Sequence, residues 1–284
     1  MISNFIDEPI QRVDSIDSSE LRKKYLRLYD INKELFNSVS YAATIQQALL
    51  PQLRHFERAF EEYFVIYQPQ NIIGGDFYWL TRKDDWSIFA LADCTGHGVS
   101  GAMLSVLGIS YLNYIVLGKE WDTLGHVLHK IDKKWIDAFH MFLDQRVNND
   151  WMEISLAAFN SKTRELRFTG ARGKLIIVNK NGTQILKGHN YPIGGWQIEK
   201  NRTYEEQTMV LPENSMVYMT SDGFQHQFGG SENKKMSAKT FLNYLSGIFN
   251  LPADIQKTFL VTAFSDWKNN NIQTDDVCVL GVRL

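Results

Sequence analysis

The sequence predicts an α+β fold in which helices cover the faces of β-sheets. Short apolar runs of strand length, separated by turn residues, occupy most of the chain, and segments with helical spacing interrupt them in pairs. The resulting order is strands, two helices, mostly strands, two helices and a final strand, which is typical of layered α+β domains. With 284 residues, 44% of them hydrophobic and 13% aromatic, the chain can bury a substantial core.

A long helix precedes this domain, because residues 20–50 contain neither Gly nor Pro and Pro51 then ends the helix. A heptad pattern places Leu21, Leu28, Leu35, Ala42 and Leu49 at one core position, and Tyr25, Asn32, Val39 and Gln46 at the other. A buried Asn at such a position favours a parallel two-stranded coiled coil, so we expect a homodimer. The alternative is one amphipathic helix packed on its own domain. The chain then divides into a flexible segment (1–18), a helical linker for dimerisation and regulation (19–51) and a globular domain (52–284).

The globular domain contains two informative segments. Residues 86–92 are so continuously apolar that both faces of the strand must be covered, which predicts a central strand. Asn181-Gly182, between two extended segments, predicts a tight hairpin, since both residues tolerate positive φ. We predict strands at 64–67, 76–80, 86–92, 152–159, 166–169, 175–178, 184–186, 203–210, 216–220 and 277–282. We predict helices at 101–117, 121–142, 238–249 and 253–267.

Charge and cysteine content exclude several classes of protein. The net charge is -2, from 30 basic and 32 acidic residues, so the chain lacks the electrostatic pattern of a protein that binds nucleic acid or an anionic membrane. Two cysteines, Cys94 and Cys278, are too few for a disulfide framework and fit a reducing cytosol. Neither a signal peptide nor a membrane span is expected. We expect a cytoplasmic protein, or the cytoplasmic C-terminal part of a membrane-anchored sensor whose upstream region precedes Met1.

The stretch LADCTGHGVSGAML, which starts at Leu91, has three interpretations. Cys94 and His97 can be a nucleophile and its base, or zinc ligands. The glycines can form a loop that cradles a phosphate. Asp93 can be the functional carboxylate, with the glycines making room around it.

Aspartates at other strand ends favour the third interpretation. These are Asp76 in GGDFYW, Asp222 in SDGF, and Asp275 with Asp276 in TDDVCVL. Carboxylates that converge with no matching basic residues repel one another unless cations lie between them, and such oxygen ligands select Mg²⁺ or Mn²⁺. Each aspartate alone also has a structural interpretation, as a turn residue before glycine, a cap or a solvated residue leading into a strand. The joint pattern indicates a metal centre.

Four motifs, in this order and at these separations, make the interpretation specific: GGDFYW, DCTGHGVSGAML, SDGFQHQFGG and DDVCVLGVRL. Together they resemble the SpoIIE/RsbU-type branch of the metal-dependent PP2C (PPM) serine/threonine phosphatases, and the resemblance covers roughly residues 45–284. It implies that the globular domain is a PP2C-like β-sandwich of two antiparallel sheets flanked by helices. It also implies a site for two divalent cations, Mn²⁺ or Mg²⁺, at one end of the sandwich.

The resemblance assigns roles to individual residues. Asp93 matches the carboxylate that bridges both ions, and Cys94 matches the residue that contributes a backbone carbonyl oxygen. Asp222 and Asp275 match the acids that hold one ion, and Asp76 matches the acid near the other. Asp276 is a further candidate ligand, although the first acid of this pair is the usual ligand in the branch. Gly75 and Gly96 would let backbone segments approach closely.

The mechanism that follows is hydrolysis of a phosphate ester by in-line attack of a metal-bridging hydroxide, without a covalent phosphoenzyme. A nucleophilic Cys94 would need an arginine-rich phosphate loop after it, and TGHGVSGA contains no arginine. His97 either protonates the leaving serine oxygen or only hydrogen-bonds its loop. Arg172 and Lys174 depart from the common pattern of the branch and are candidate substrate-binding residues.

Bacterial members of this branch usually dephosphorylate a STAS-domain anti-sigma-factor antagonist in a partner-switching pathway, so the resemblance implies a phosphoserine or phosphothreonine of such a protein as the substrate. A change of dimer geometry in the N-terminal helix could move GGDFYW and complete the metal site. Two other functions stay open: a non-catalytic PPM-fold module that holds a phosphoprotein, and a phosphohydrolase of small molecules. The presence of Asp76, Asp93, Asp222 and Asp275 favours an enzyme, and the ordered motifs favour a protein substrate.

Overall fold

The computed structural model describes residues 18–118, 121–140, 149–195 and 201–284. The chain divides into two compact units, Met1–Ala42 and Ala43–Leu284. The described part of the first unit is helical throughout, and the second unit contains the strands and the other helices. The predicted flexible segment 1–18 lies outside the described residues except for Ser18, where the first helix begins.

The described helices and strands follow the predicted order. The helices are α1 (Ser18–Leu49), α2 (Leu53–Ala59), α3 (Gly98–Leu117), α4 (Leu124–His140), α5 (Gly223–His226), α6 (Ala238–Ile248) and α7 (Ala253–Lys268). The strands are β1 (Tyr63–Gln68), β2 (Phe77–Lys83), β3 (Trp86–Cys94), β4 (Trp151–Asn160), β5 (Glu165–Ala171), β6 (Lys174–Asn179), β7 (Gly182–Lys187), β8 (Ile193–Gly194), β9 (Gln207–Val210), β10 (Met216–Thr220), β11 (Phe228–Gly229), β12 (Lys234–Lys235) and β13 (Val277–Arg283).

Two antiparallel sheets form the second unit, one with the strand order β1-β13-β10-β6-β7 and the other with β2-β3-β4-β5-β9, where β8 pairs with β4. Their inner faces share one apolar cluster, which includes Phe89, Phe168, Ile177, Met219 and Leu280. The outer face of the second sheet packs on α3 and α4. The outer face of the first packs on α6 and α7. Both faces of each sheet are therefore covered, which confirms the predicted α+β sandwich and the central position of β3.

The boundaries differ from the predicted ones in a few places. Helix α4 starts at Leu124 rather than at residue 121, because the hydroxyl of Thr123 accepts a hydrogen bond from the backbone N–H of His126 and caps the helix. Residues 141–142 of that predicted helix lie outside the described residues. Strand β9 begins at Gln207 rather than at 203. The predicted hairpin is present, although its turn lies one residue earlier, since Gly182 already pairs with Asn179.

Helix α3 is long and apolar enough to cross a membrane by length and composition alone, and it is the single such helix in the described part of the chain. Half of the tested window is buried. Ile109, Leu112 and Ile115 lie in the cluster under the second sheet. This core packing accounts for the buried half of the helix, whereas Val99, Met103 and Leu117 are exposed.

Helix α1 changes environment along its length. In the first unit the heptad side chains from Leu21 to Leu35 are exposed, with 60% of the surface of both Leu28 and Leu35 accessible. In the second unit Gln46 is only 3% exposed, and its side-chain amide donates hydrogen bonds to Gly74 O and Ser105 Oγ. Gln46 is therefore buried in its own domain, and the prediction that it lies in a coiled-coil core was wrong. The helix end fits the alternative of packing on its own domain.

Candidate metal centre and substrate cleft

Strand topology brings the aspartates to one end of the sandwich. Asp93 is the penultimate residue of β3, and Asp76 directly precedes the neighbouring antiparallel strand β2. Asp222 follows β10, and Asp275 and Asp276 precede its antiparallel neighbour β13. In an antiparallel pair the end of one strand lies beside the start of its neighbour. The acids of each sheet therefore lie together at one end of its strands.

Close backbone packing holds the loops around Asp93 together. A Cβ atom on Gly75 would lie 2.7 Å from the carbonyl oxygen of Cys94 and 2.9 Å from that of Gly96. Gly96 itself has φ +82°, a conformation that favours glycine. The predicted close approach at Gly75 is thus confirmed, and it places the Cys94 carbonyl oxygen beside the GGD loop.

Asp276 has a different contact from the other acids. One of its carboxylate oxygens accepts a hydrogen bond from the backbone N–H of Gln70 at 2.7 Å, and the other accepts one from the backbone N–H of Gly75 at 2.6 Å. The side chain is 3% exposed. Both oxygens are therefore engaged in holding the GGD loop.

Asp222 and Asp275 meet through the short helix α5. Gly223 packs so closely on the carbonyl oxygen of Asp276 that a side chain would not fit. This contact sets Asp222, at the start of α5, beside the loop that carries Asp275. Asp222 also contacts His226, whose Nδ1 lies 3.0 Å from its Oδ2.

The acids strongly influence one another. Burial raises the pKa of Asp76 well above its usual value, and the neighbouring Asp93 raises it further. Burial also raises the pKa of Asp93 well above its usual value, with additional contributions from Asp222 and Asp275. The pKa of Asp275 is raised by burial, although a hydrogen bond from the backbone N–H of Asp276 opposes the change. For Asp76 and Asp93 the named neighbouring charges are all acidic, whereas His226 partly offsets the effect at Asp275.

The residues fit hard divalent cations in the nature of their donor atoms. Asp76 Oδ2 is buried and has no hydrogen-bond partner among the described residues. Mutually repelling carboxylate oxygens, an orphaned buried oxygen and a nearby backbone carbonyl are donors that Mg²⁺ and Mn²⁺ accept. Within the described ranges, no group of three or more Asp, Glu, His or Cys side chains is close enough together to hold one metal ion. The donor atoms thus lie at the same end of the sandwich, but their side chains do not have the spacing of a complete metal site.

The two thiols lie in the interior. Burial raises the pKa of the Cys94 thiol well above its usual value, and Asp93 and Asp76 add to the effect. The pKa of Cys278 is raised well above its usual value in the same way, with burial as the main cause and Asp76 as the next. A buried thiol that stays protonated is a poor nucleophile. The structure therefore disfavours the interpretation of Cys94 as a catalytic nucleophile.

A cleft of about 70 Å³ is lined by Asp93 and Asp222 together with Glu153, Arg172 and Lys174. Arg172 Nε lies 3.2 Å from Glu153 Oε1. Lys174 Nζ donates a hydrogen bond of 3.4 Å to Gln225 Oε1. Arg172 and Lys174, the substrate-binding candidates from the sequence, therefore line the same cleft as Asp93 and Asp222.

A family model described as "Stage II sporulation protein E (SpoIIE)" matches residues 83–284, more than two thirds of the chain. The chain belongs to the SpoIIE family. It therefore carries a serine/threonine phosphatase domain of the PP2C type, whose members use Mg²⁺ or Mn²⁺. A search of curated protein sequences finds no significant match.

Solved structures of the SpoIIE family and its relatives share the fold. The SiaA-PP2C domain of Pseudomonas aeruginosa is 25% identical over 89% of this chain and 98% of that chain, with a TM-score of 0.80. The phosphatase domain and regulatory fragment of SpoIIE from Bacillus subtilis is 16% identical, with 78% of this chain and 63% of that chain covered and a TM-score of 0.62. The RsbU and RsbW domains of a Mycobacterium tuberculosis protein are 17% identical, with 78% and 60% covered and a TM-score of 0.60.

Three residues near the SpoIIE-type site did not emerge from the sequence. Glu153 pairs with Asp93 across β3 and β4, and the signal for it was a lone acid in an apolar strand. His226 lies four residues after Asp222, a spacing that places the two on one helical face. Gln46 fitted the heptad, so its contact with Gly74 had no signal in the sequence.

His97 is exposed at the start of α3. Its Nδ1 lies 3.3 Å from the side-chain nitrogen of Asn71, in the segment that precedes the GGD loop. This contact matches the interpretation of a histidine that hydrogen-bonds its loop. The role of His97 as a proton donor stays a prediction.

Proposed function

We propose that this chain hydrolyses phosphoserine or phosphothreonine in a protein substrate with the help of two divalent cations, Mn²⁺ or Mg²⁺. One observation carries the proposal. Aspartates from four separate segments converge on one end of the sandwich, where burial and mutual repulsion raise the pKa of three of them. Such an arrangement is costly for folding, and cations between the carboxylates would offset the cost.

Asp93, Asp222, Asp275, Asp76 and the backbone carbonyl oxygen of Cys94 would hold the ions. When bound, the ions would activate water and neutralise charge on the phosphoryl oxygens. Asp276 instead positions the GGD loop, because both of its oxygens accept backbone hydrogen bonds. Lys174 and Arg172, which line the same cleft as Asp93 and Asp222, bind the substrate.

The proposed partner is a phosphorylated STAS-domain protein of the anti-sigma-factor antagonist type, in the cytoplasm. A second copy of this chain is the proposed partner of the N-terminal helix, since leucines at heptad positions are exposed along its first unit. The hydrogen bond from Gln46 to Gly74 O supports a regulatory role for the helix end, because it reaches the loop that carries Asp76.

Turnover of p-nitrophenyl phosphate and of a phosphoserine protein, with Mn²⁺ or with EDTA, tests the proposal. We expect cation-dependent turnover of both, reduced by at least about a hundredfold in Asp93→Asn and Asp222→Asn. Binding of the phosphoprotein without turnover would indicate the non-catalytic module. Turnover of p-nitrophenyl phosphate alone would indicate the small-molecule enzyme. A pH profile of His97→Ala that matches the unaltered protein would exclude His97 as the proton donor.

A further inference from the structure

The guanidinium of Arg172 is held in place on two sides. Its Nε edge faces Glu153 at 3.2 Å, and its plane lies over the ring of Trp151, 5.2 Å from the ring centre. The backbone is fixed as well, because Arg172 has φ +55° and its N–H donates a hydrogen bond of 2.7 Å to His189 O. A side chain with one preferred position loses little entropy when it binds an anion.

The opposite edge of this guanidinium is open. The terminal nitrogens of Arg172 donate no hydrogen bond to any of the residues that the structure describes, and 45% of the side chain is exposed. The two terminal nitrogens of that edge can pair with a carboxylate through two parallel hydrogen bonds. Arg172 thus presents an oriented and unused anion-binding group at the cleft.

Lys174 differs from Arg172 in depth and contacts. Its side chain is directed towards Gln225, in the short helix α5 that follows Asp222. Its charge is close enough to interact with Asp222 and Glu153. Lys174 is therefore the half-buried basic residue near Asp222, whereas Arg172 is the exposed one.

We propose that Arg172 recognises an acidic side chain next to the phosphorylated serine or threonine, and that Glu153 is the positioning residue that holds Arg172 for this contact. Lys174 faces the phosphoryl group itself. The inference rests on the proposed phosphatase function and adds a substrate class to it: phosphorylation sites flanked by Asp or Glu.

Two phosphoserine peptides test this specificity in the full chain with Mn²⁺. They are identical except that the residues flanking phosphoserine are Glu in one and Gln in the other. We expect kcat/KM to be about tenfold higher for the Glu peptide, as for one well-placed charged hydrogen-bonding contact. Arg172→Gln should abolish the ratio, and Glu153→Gln should reduce it while the Gln peptide is still turned over.

Arg167 offers a matched control. Its Nε donates a hydrogen bond of 2.7 Å to Glu165 Oε1, and its guanidinium lies over Trp86, but it does not line the cleft. Arg167→Gln should therefore keep the tenfold ratio. If Arg172→Gln does not fold, raising the salt concentration with the unaltered protein replaces it, because screening should reduce the ratio.

The outcomes separate the two proposals. Turnover of both peptides at equal rates by the unaltered protein would overturn the acidic specificity and leave the phosphatase function intact. An equal loss on both peptides in Arg172→Gln would also overturn it, since Arg172 would then contact the phosphate. Absence of turnover of every substrate would instead count against the phosphatase function.

Discussion

The carboxylate of Asp276 accepts a hydrogen bond from the backbone N–H of Gly75 at 2.6 Å, although 201 positions separate the two residues in the chain. The same side chain also accepts the N–H of Gln70. One acid of the DD pair thus connects the loop before β13 to the loop before β2. Asp275, its neighbour, keeps one oxygen free of this local bonding, since only Oδ1 accepts the N–H of Asp276.

Replacing Asp276 should therefore loosen the GGD loop. We expect Asp276→Asn to lower the free energy of unfolding by about 1 to 3 kcal/mol, because an amide places a donor where one of the two backbone N–H groups needs an acceptor. The affinity for Mn²⁺ should fall, while turnover at saturating Mn²⁺ should persist. Urea denaturation and Mn²⁺ titration calorimetry measure both effects. Asp254→Asn, in the first turn of α7, is the control, and complete loss of turnover at saturating Mn²⁺ would mean that Asp276 is itself a ligand.

Removal of metal should reveal the repulsion between the acids through pH. A carboxyl group with a raised pKa in the folded state contributes stability that is fully present below its ordinary value of 3.8 and is lost as pH rises through the raised value. In EDTA, we therefore expect Asp76→Asn to become progressively more stable than the unaltered protein as pH increases above about 4. Thermal denaturation across pH gives this difference, and a difference that is constant with pH would contradict it.

Addition of Mn²⁺ should reverse that trend. Cations displace protons from the carboxylates, so the gain in melting temperature should grow with pH for the unaltered protein. Asp76→Asn and Asp93→Asn should lose most of the gain. The same melting experiments with Mg²⁺ show whether the two cations are equivalent.

The end of α1 should matter for the domain that follows it. Gln46→Leu removes two buried hydrogen bonds, to Gly74 O and Ser105 Oγ, and leaves a buried carbonyl oxygen without a partner. We expect a loss of about 1 to 3 kcal/mol in the free energy of unfolding and a weaker affinity for Mn²⁺. Gln47→Leu, at the adjacent exposed position, should change neither quantity. Equal behaviour of the two variants would argue against a link between the helix and the GGD loop.

Cys94 provides a test of the chemistry. We expect Cys94→Ala to retain most of the turnover, because its proposed contribution is a backbone oxygen, and to lose about 1 kcal/mol of stability from the smaller core side chain. Iodoacetamide should modify the native thiol slowly, since burial raises its pKa. Abolished turnover in a folded Cys94→Ala protein would restore the nucleophile interpretation.

Local patterns in the sequence were sufficient for the α+β class and for placing the acids at strand ends, whereas the two-sheet sandwich was predicted from the family resemblance. The apolar run of β3 identifies a strand covered on both faces. The glycines that begin at Gly96 mark the end of this strand, and Asp93 lies just before that end. The role of Asp276 was not accessible in this way, since adjacent aspartates look alike in a sequence and only the fold brings one of them to Gly75. Glu153 and Arg172 likewise meet only through strand pairing and a bridge between separate segments.

The heptad pattern shows a further limit of sequence reasoning, because periodicity predicts an apolar face without saying what covers it. Gln46 satisfied the period as well as Asn32 did, yet it is buried in its own domain. The two positions differ because Gln46 hydrogen-bonds to Gly74 and Ser105. No pattern within α1 indicates these partners.

The exposed part of α1 leads to the last prediction, on assembly. Leu28 and Leu35 are each 60% exposed, and burying both against a second copy would remove a substantial apolar area from water on each chain. We expect Leu28→Glu/Leu35→Glu to convert a dimer into a monomer in light scattering at micromolar concentration, because two charges per chain would meet in the seam. Lys33→Glu, at a position outside the heptad core, should leave the dimer intact. If the unaltered protein is a monomer, the prediction that a second copy packs on this face of α1 is wrong.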